Sequence, residues 1–143
     1  MKLNKVIDAS RAADGPAASL LARAVIAAAA ADGHTSARDR RCIRLLLDAL
    51  ALTNIEKRLL IDELDRPLKL HEVAEQALAM GAAMEVYRVS ALIIDRRRSR
   101  GRVYLADLAE ILALPPPLVR QIHEEVMASL LEPVATAVSG RAA

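Results

Sequence analysis

The sequence has no tryptophan and no phenylalanine, and it has only two tyrosines. Glycine and proline are also scarce, with five and six among 143 residues. Strands are enriched in aromatic and β-branched residues, so this alanine-rich composition favours helices that pack closely through small side chains. We therefore predict an all-α protein, and the length suits one domain with one core.

Cysteine is limited to Cys42, which excludes an internal disulfide and a cysteine-based zinc site and is compatible with a reducing cytosol. Long hydrophobic runs are missing as well, since the longest, 24–31, is too short to cross a bilayer. Charges at Asp8, Arg11 and Asp14 interrupt the N-terminal stretch and argue against a secretory signal. We expect a soluble cytoplasmic protein, with a location at the periphery of the inner membrane as the alternative.

The most informative feature that is present is an internal repeat at a spacing of 62 residues. The matched pairs are Ile43 with Leu105, Leu46 with Leu108, Leu50 with Leu112, Leu60 with Ile122, and Leu64 with Val126. Each copy reads as helix, polar loop, helix, turn and helix, and the first helix ends in Asp32 in one copy and Asp95 in the other. Such a duplicated helical hairpin brings two loops into one fold, where a paired site can form.

Start and stop signals divide the chain into about seven helices in a single compact bundle. Capping boxes at Ser36–Asp39 and Thr53–Glu56 start two of them, and the prolines at 115–117 force a corner before the last. The bounds expected for four others are 16–31, 70–79, 82–94 and 99–113. The predicted organisation is an N-terminal tail over 1–15, a helical domain over 16–131 and a C-terminal tail over 132–143.

Several segments together resemble one family. They are Ala30-Ala31-Asp32-Gly33-His34, Asp65-Arg66-Pro67-Leu68, Leu92-Ile93-Ile94-Asp95, Tyr104-Leu105 and Leu114-Pro115-Pro116-Pro117-Leu118. With an acidic residue one turn into the helix after Asp32, this combination resembles the YebE-like branch of the tellurite-resistance TerB superfamily, over about residues 20–126. The resemblance implies a bacterial, all-helical domain of unassigned activity, associated with stress response near the membrane and with divalent-cation binding through paired acidic loops.

The resemblance implies three metal ligands, Asp32, Asp39 and Asp95. The first loop keeps the family pattern, with Asp39 where Glu is usual, but the second has Arg97 and Gly101 where acids would stand. A hard cation needs about six oxygen ligands, several of them charged. We therefore expect a degenerate site without a cofactor, the alternative being a bound calcium, magnesium or zinc ion.

A run of arginines follows Asp95, and with His34 it supplies the candidate binding residues, Arg96, Arg97, Arg98, Arg100 and Arg102. Positive charge just before a helix N-terminus opposes the macrodipole, so helix stability alone does not account for the run. One interpretation is a patch that binds an acidic membrane surface or nucleic acid. Nucleic acid is the less expected partner, because no aromatic residues stand between the arginines to stack on bases.

The interpretation we favour for the same run is internal pairing. A guanidinium can bridge carboxylates and supply the positive charge that a metal ion would bring. We therefore predict that at least one of Arg96, Arg97 and Arg98 contacts Asp32 or Asp39.

Catalytic motifs are not found in the sequence. The segments His71–Glu75 and His123–Met127 lack the second histidine of a zinc-protease helix, and Cys42 has no identified histidine partner. We expect a binding or adaptor module that is not an enzyme, with an unidentified protein partner. Docking on an anionic membrane surface is the alternative, and any homodimer should pack through small residues.

Overall fold

The computed structural model describes residues 3–11, 13 and 15–131, and in that part of the chain it contains eight α-helices. They are α1 Leu3–Ser10, α2 Gly15–Ala31, α3 Ala37–Ala49, α4 Asn54–Glu63, α5 Leu70–Met80, α6 Ala83–Ile93, α7 Ser99–Ile111 and α8 Pro116–Leu131. The predicted all-α fold class is confirmed. No described helix is both long enough and apolar enough to pass through a membrane.

Helix α1 differs from the prediction of an N-terminal tail over 1–15. Val6 and Ser10 are buried, and the helix packs against α3 and α6. Eight residues with one strongly buried aliphatic side chain give too short an apolar stripe for the sequence pattern to indicate a helix. Tertiary packing stabilises such a short helix more than propensity does. The predicted C-terminal tail, 132–143, lies outside the described residues.

Helices α2 and α6 form the centre of the bundle and pack against each other. Ten residues of α2 and seven of α6 are buried. Helix α2 is apolar on most sides, which is typical of a helix surrounded by others, and it also contacts α3, α4, α5 and α7. Its alanines let those neighbours approach closely, so the core depends on small side chains in the middle and leucine, isoleucine and valine around them.

The internal repeat is visible in the bounds of the helices. Helices α3 and α7 have 13 residues each, and both they and the starts of α4 and α8 are 62 residues apart. Leu46 and Leu108 are 1% and 0% exposed, as predicted for equivalent core positions. The connections 32–36 and 94–98 are equally long, so the two halves bring corresponding loops to the end of the central helix pair.

Candidate functional site

Asp32 joins the two loops. Its side chain is buried, and Oδ2 accepts a hydrogen bond of 3.0 Å from the backbone N–H of Asp95. The same oxygen lies 2.9 Å from Nε2 of His34. Gly33 has a φ of +80°, which lets the chain turn back so that the His34 N–H donates to the carbonyl of Ala29. The aspartate that ends α2 therefore holds the second loop through its backbone.

The rest of the first loop caps α3. The Ser36 hydroxyl accepts from the Asp39 N–H, and the Asp39 carboxylate accepts from the Ser36 N–H, so the predicted capping box is formed. Hydrogen bonds from Ser36 lower the pKa of Asp39 below its usual value. Nδ1 of His34 lies 3.8 Å from Asp39, which places His34 between the two carboxylates. The predicted site residues Asp32, His34 and Asp39 are therefore together.

Asp95 binds the arginines of its own loop. Its carboxylate accepts from the backbone N–H and from Nε of Arg97, both at 3.0 Å, and it lies 3.7 Å from Nε of Arg98. Hydrogen bonds from Arg97 lower the pKa of Asp95. The loop is short, so a side chain two residues away reaches Asp95 more easily than it reaches the other loop.

The predicted contact between Arg96, Arg97 or Arg98 and an acid of the first loop is therefore wrong. The arginine that reaches the first loop is Arg100, and its Nη2 donates to the backbone carbonyl of Asp32 at 3.2 Å. This guanidinium lies against Gly33, where an added Cβ would stand 2.5 Å from Nη2. Both links between the loops thus use a side chain from one loop and a backbone group from the other.

The two loop aspartates are also not equivalent in register. At a spacing of 62 residues Asp32 corresponds to Ile94, which is 5% exposed, and Asp95 corresponds to Gly33. Gly101 takes the place of Asp39, and a Cβ there would overlap the carbonyl oxygen of Asp95 and stand 2.8 Å from Cγ2 of Ile94. The loop backbone fills the space that a helix acid would need. Among the described residues, no three acidic, histidine or cysteine side chains are arranged to hold a metal ion.

Beside the second loop, an open cleft of about 760 Å³ lies between α6, α7 and α8. Its apolar lining includes Ala91, Ile94, Leu105, Ala109, Val119 and Leu130. Its charged lining comes from the end of α6 and the start of α7, with Asp95, Arg96, Arg97 and Arg102, and from His34 nearby. The sequence analysis did not predict this cleft, although it named each of these charged residues.

Arg96 differs from its neighbours at the cleft. Arg97 is paired with Asp95, and Nη1 of Arg102 donates to the carbonyls of Arg96 and Arg97 at 2.9 and 3.1 Å. Arg96 itself has no hydrogen bond from its side chain and no ion pair within the described part of the chain. Its guanidinium is therefore the charge at the cleft that is available to a ligand.

Tyr87 and His123 lie at the same cleft and bind each other. The Tyr87 hydroxyl is 2.7 Å from Nε2 of His123, and the rings meet edge to face. Burial lowers the pKa of His123, and the positive charge of Arg96 lowers it further. Burial also raises the pKa of the Tyr87 hydroxyl. Both groups are thus held neutral near pH 7, and Arg96 remains the dominant charge there.

The first half of the repeat shows what a filled cleft looks like. The corresponding space has a volume of about 10 Å³ and is lined by His34, Arg40 and Ile43, the counterparts of Arg96, Arg102 and Leu105. Two substitutions between the halves enlarge the second space or make it polar. Buried Leu47 corresponds to Ala109, and Ile61 corresponds to His123. This difference between the repeats is the signal from which the cleft could have been predicted.

The charges are also paired differently in the two halves. In the first half, Arg40 donates to Asp65 at 2.9 Å, and His34 contacts Asp32. Asp65 corresponds to Met127 at the second cleft, so the second half lacks that acid. The open cleft therefore combines lost volume with a lost negative charge.

Comparison with known proteins gives a family but no activity. Residues 4–126 match the family model described as "Protein of unknown function (DUF533)". The chain is 27% identical over 106 residues to a Yersinia enterocolitica protein named "Uncharacterized protein in ampR 5'region", and the match covers 74% of this chain and 76% of that protein. No solved structure matches the chain. Because the model matches well over half of the sequence, the chain belongs to the DUF533 family.

Proposed function

We propose that this protein is a non-catalytic binding module of the TerB-like type, in its YebE-like branch, and that its ligand site is the cleft between α6, α7 and α8. The observation that carries the proposal is the contrast between the halves of the repeat. One half is closed to about 10 Å³, and the other is open to about 760 Å³. Pockets of 300 to 1,000 Å³ are typical of small-molecule sites.

The acidic loops serve in this proposal as the internal lock that holds the two hairpins together. Oδ2 of Asp32 is engaged by the Asp95 N–H, the Asp39 carboxylate caps α3, and Asp95 is paired with Arg97. The buried Oδ1 of Asp32 is left without a hydrogen-bond partner among the described residues. One such oxygen is far from the roughly six that a calcium or magnesium ion requires, which favours the lock over a cation site.

Docking of the arginine run on an anionic membrane is less well supported than binding in the cleft. Arg97 and Arg98 contact Asp95, and Arg100 and Arg102 donate to backbone carbonyls. Four of the five arginines thus have internal partners, and these partners reduce the charge that the run offers to a surface. Catalysis is also less well supported, because the Tyr87 and His123 pair has no nucleophile in contact with it.

A cleft-blocking variant tests the proposal. Ala106 is exposed on α7 and lines the cleft, so Ala106→Trp should fill it without disturbing the core. Ala79 is exposed on α5 outside the cleft, and Ala79→Trp is the matched control. The measurement is the fluorescence of N-phenyl-1-naphthylamine, a neutral apolar probe that brightens when it leaves water. We expect saturable binding to the wild type and to Ala79→Trp, and loss of binding in Ala106→Trp. Equal binding to all three would contradict the proposal.

A further inference from the structure

We infer that the cleft binds a single-chain anionic amphiphile, a long-chain carboxylate whose head lies at Arg96 and whose hydrocarbon chain lies along the apolar faces of α6, α7 and α8. This inference rests on the proposed function, because it names the class of ligand for the same cleft. The argument uses the charge at one end of the cleft, the character of its walls and its size.

The charge at the cleft is positive and partly unsatisfied. Three arginines and one aspartate line it, and the aspartate, Asp95, is neutralised by Arg97 and Arg98. Arg96 has no ion-pair partner among the described residues. A guanidinium next to an apolar surface binds a carboxylate more strongly than it does in open water, because the surroundings screen the charges less. The cleft therefore offers one strong position for an anionic head.

The walls of the cleft suit a hydrocarbon chain. Ala91, Leu105 and Ala109 line it from α6 and α7, and Val119 and Leu130 line it from α8. These side chains offer no hydrogen-bond donor or acceptor. An extended peptide would leave its backbone N–H and C=O groups without partners against them, and each unpaired group would cost binding energy. A hydrocarbon chain has no such groups.

The polar and apolar parts of the lining are separated in a way that matches an amphiphile. All four charged residues of α6, α7 and their connection lie within 95–102, where α6 ends and α7 begins. The remaining wall from these helices, formed by residues such as Ala91 and Ala109, is apolar. A ligand with a charged head and an apolar tail satisfies both parts at once. The volume of about 760 Å³ is in the range for one small ligand.

The experiment is displacement of N-phenyl-1-naphthylamine from the full chain by straight-chain carboxylates of eight to fourteen carbons, each below its micellar concentration. Because each methylene buried in the cleft adds to the hydrophobic contribution, we expect affinity to rise about fourfold for each added carbon. Alkyl trimethylammonium ions of the same lengths are the comparison for the head group. They should displace the probe at least tenfold less well at equal length.

Two arginine variants separate the head-group contact from general charge. Arg96→Gln should weaken carboxylate binding roughly tenfold while leaving probe binding unchanged. Arg98→Gln removes an equal charge from an exposed arginine that does not line the cleft, and it should leave both unchanged. Arg96 has no ion pair to lose within the described residues, and a thermal melt checks that its variant is folded.

The outcomes distinguish this inference from the proposal on which it depends. Probe binding that is lost in Ala106→Trp but not displaced by carboxylates would overturn the ligand class and leave the cleft as a binding site. Probe binding that survives in Ala106→Trp would overturn both. Equal displacement by the ammonium series, no effect of Arg96→Gln, or stronger competition by an acidic amphipathic peptide would each contradict the assignment of a carboxylate amphiphile.

Discussion

Replacing Gly101 with alanine should destabilise this protein, although the same change stabilises most helices. Gly101 is the third residue of α7 and is buried. An added Cβ would overlap the carbonyl oxygen of Asp95 and crowd Cγ2 of Ile94 at 2.8 Å. The oxygen belongs to the backbone of the loop that Asp32 holds in place, so it has little freedom to move away.

The magnitude follows from two opposing effects. Alanine in place of glycine inside a helix ordinarily adds about 0.5–1 kcal/mol of stability, because the unfolded chain loses less entropy. Forcing an extra carbon into packed surroundings costs about 1–3 kcal/mol. The overlap is with backbone, so we expect the second effect to prevail and the free energy of unfolding to fall by roughly 1–2 kcal/mol. For a domain of this size that lowers Tm by roughly 3–8 °C.

Urea and thermal unfolding followed by circular dichroism measure this change directly. Ser99→Ala, in the same turn and exposed, is the matched control and should stay within about 0.5 kcal/mol of the wild type. A Gly101→Ala protein that is as stable as the wild type, or more so, would refute the claim that the second loop backbone occupies the position of a helix acid.

Leu46→Ala and Leu108→Ala should each cost about 2–5 kcal/mol in unfolding titrations, because both side chains are fully buried in equivalent positions; a cost below 1 kcal/mol at either would count against the repeat. Asp32→Ala should cost about 1–3 kcal/mol by leaving the Asp95 N–H without its acceptor, whereas Asp32→Asn, which keeps an acceptor, should cost less; equal costs would contradict the lock. Burial and Arg96 lower the pKa of His123 from 6.5 in the folded state, so the unfolded state binds its proton first and stability should fall as pH drops below about 6.5. That slope should flatten in His123→Gln, and an unchanged slope would refute the assignment. Calorimetric titration with calcium or magnesium should show no stoichiometric binding, and one ion bound per chain with loss in Asp32→Ala would restore the cation site.

The sequence predicted the helices well where local chemistry decides them. Capping boxes at Ser36 and Thr53 and the prolines at 115–117 act within a few residues, and the structure has helices starting where these signals stand. Helix α1 was missed because its eight residues have no such signal and depend on contacts with α3 and α6. Packing partners far along the chain cannot be inferred from so short a segment.

The loop residues were predicted to meet, but their partners were not. The repeat indicated that 32–36 and 94–98 lie together, and the hydrogen bond from Asp95 to Asp32 shows that they do. The partner of each charged group depends on reach and backbone direction. Arg97 is two residues from Asp95 and pairs with it locally, whereas Arg100, one helical step further on, points back to Asp32. A shift of one residue in register therefore decides which carboxylate an arginine can reach.

The cleft follows from the differences between the halves, which is why a search for their similarities did not find it. A duplicated fold begins with two equal spaces beside its two loops, and filling residues such as Leu47 keep one of them closed. Ala109 in the corresponding place removes that volume, and Met127 in the place of Asp65 removes the acid that would pair with Arg102. Neither change is required for the stability of the helices, because Leu105 and Leu108 still bury the core face of α7. Departures from the repeat that cost no core residue, and that together open a cavity and unpair a charge, are the positions where binding is expected in a duplicated domain.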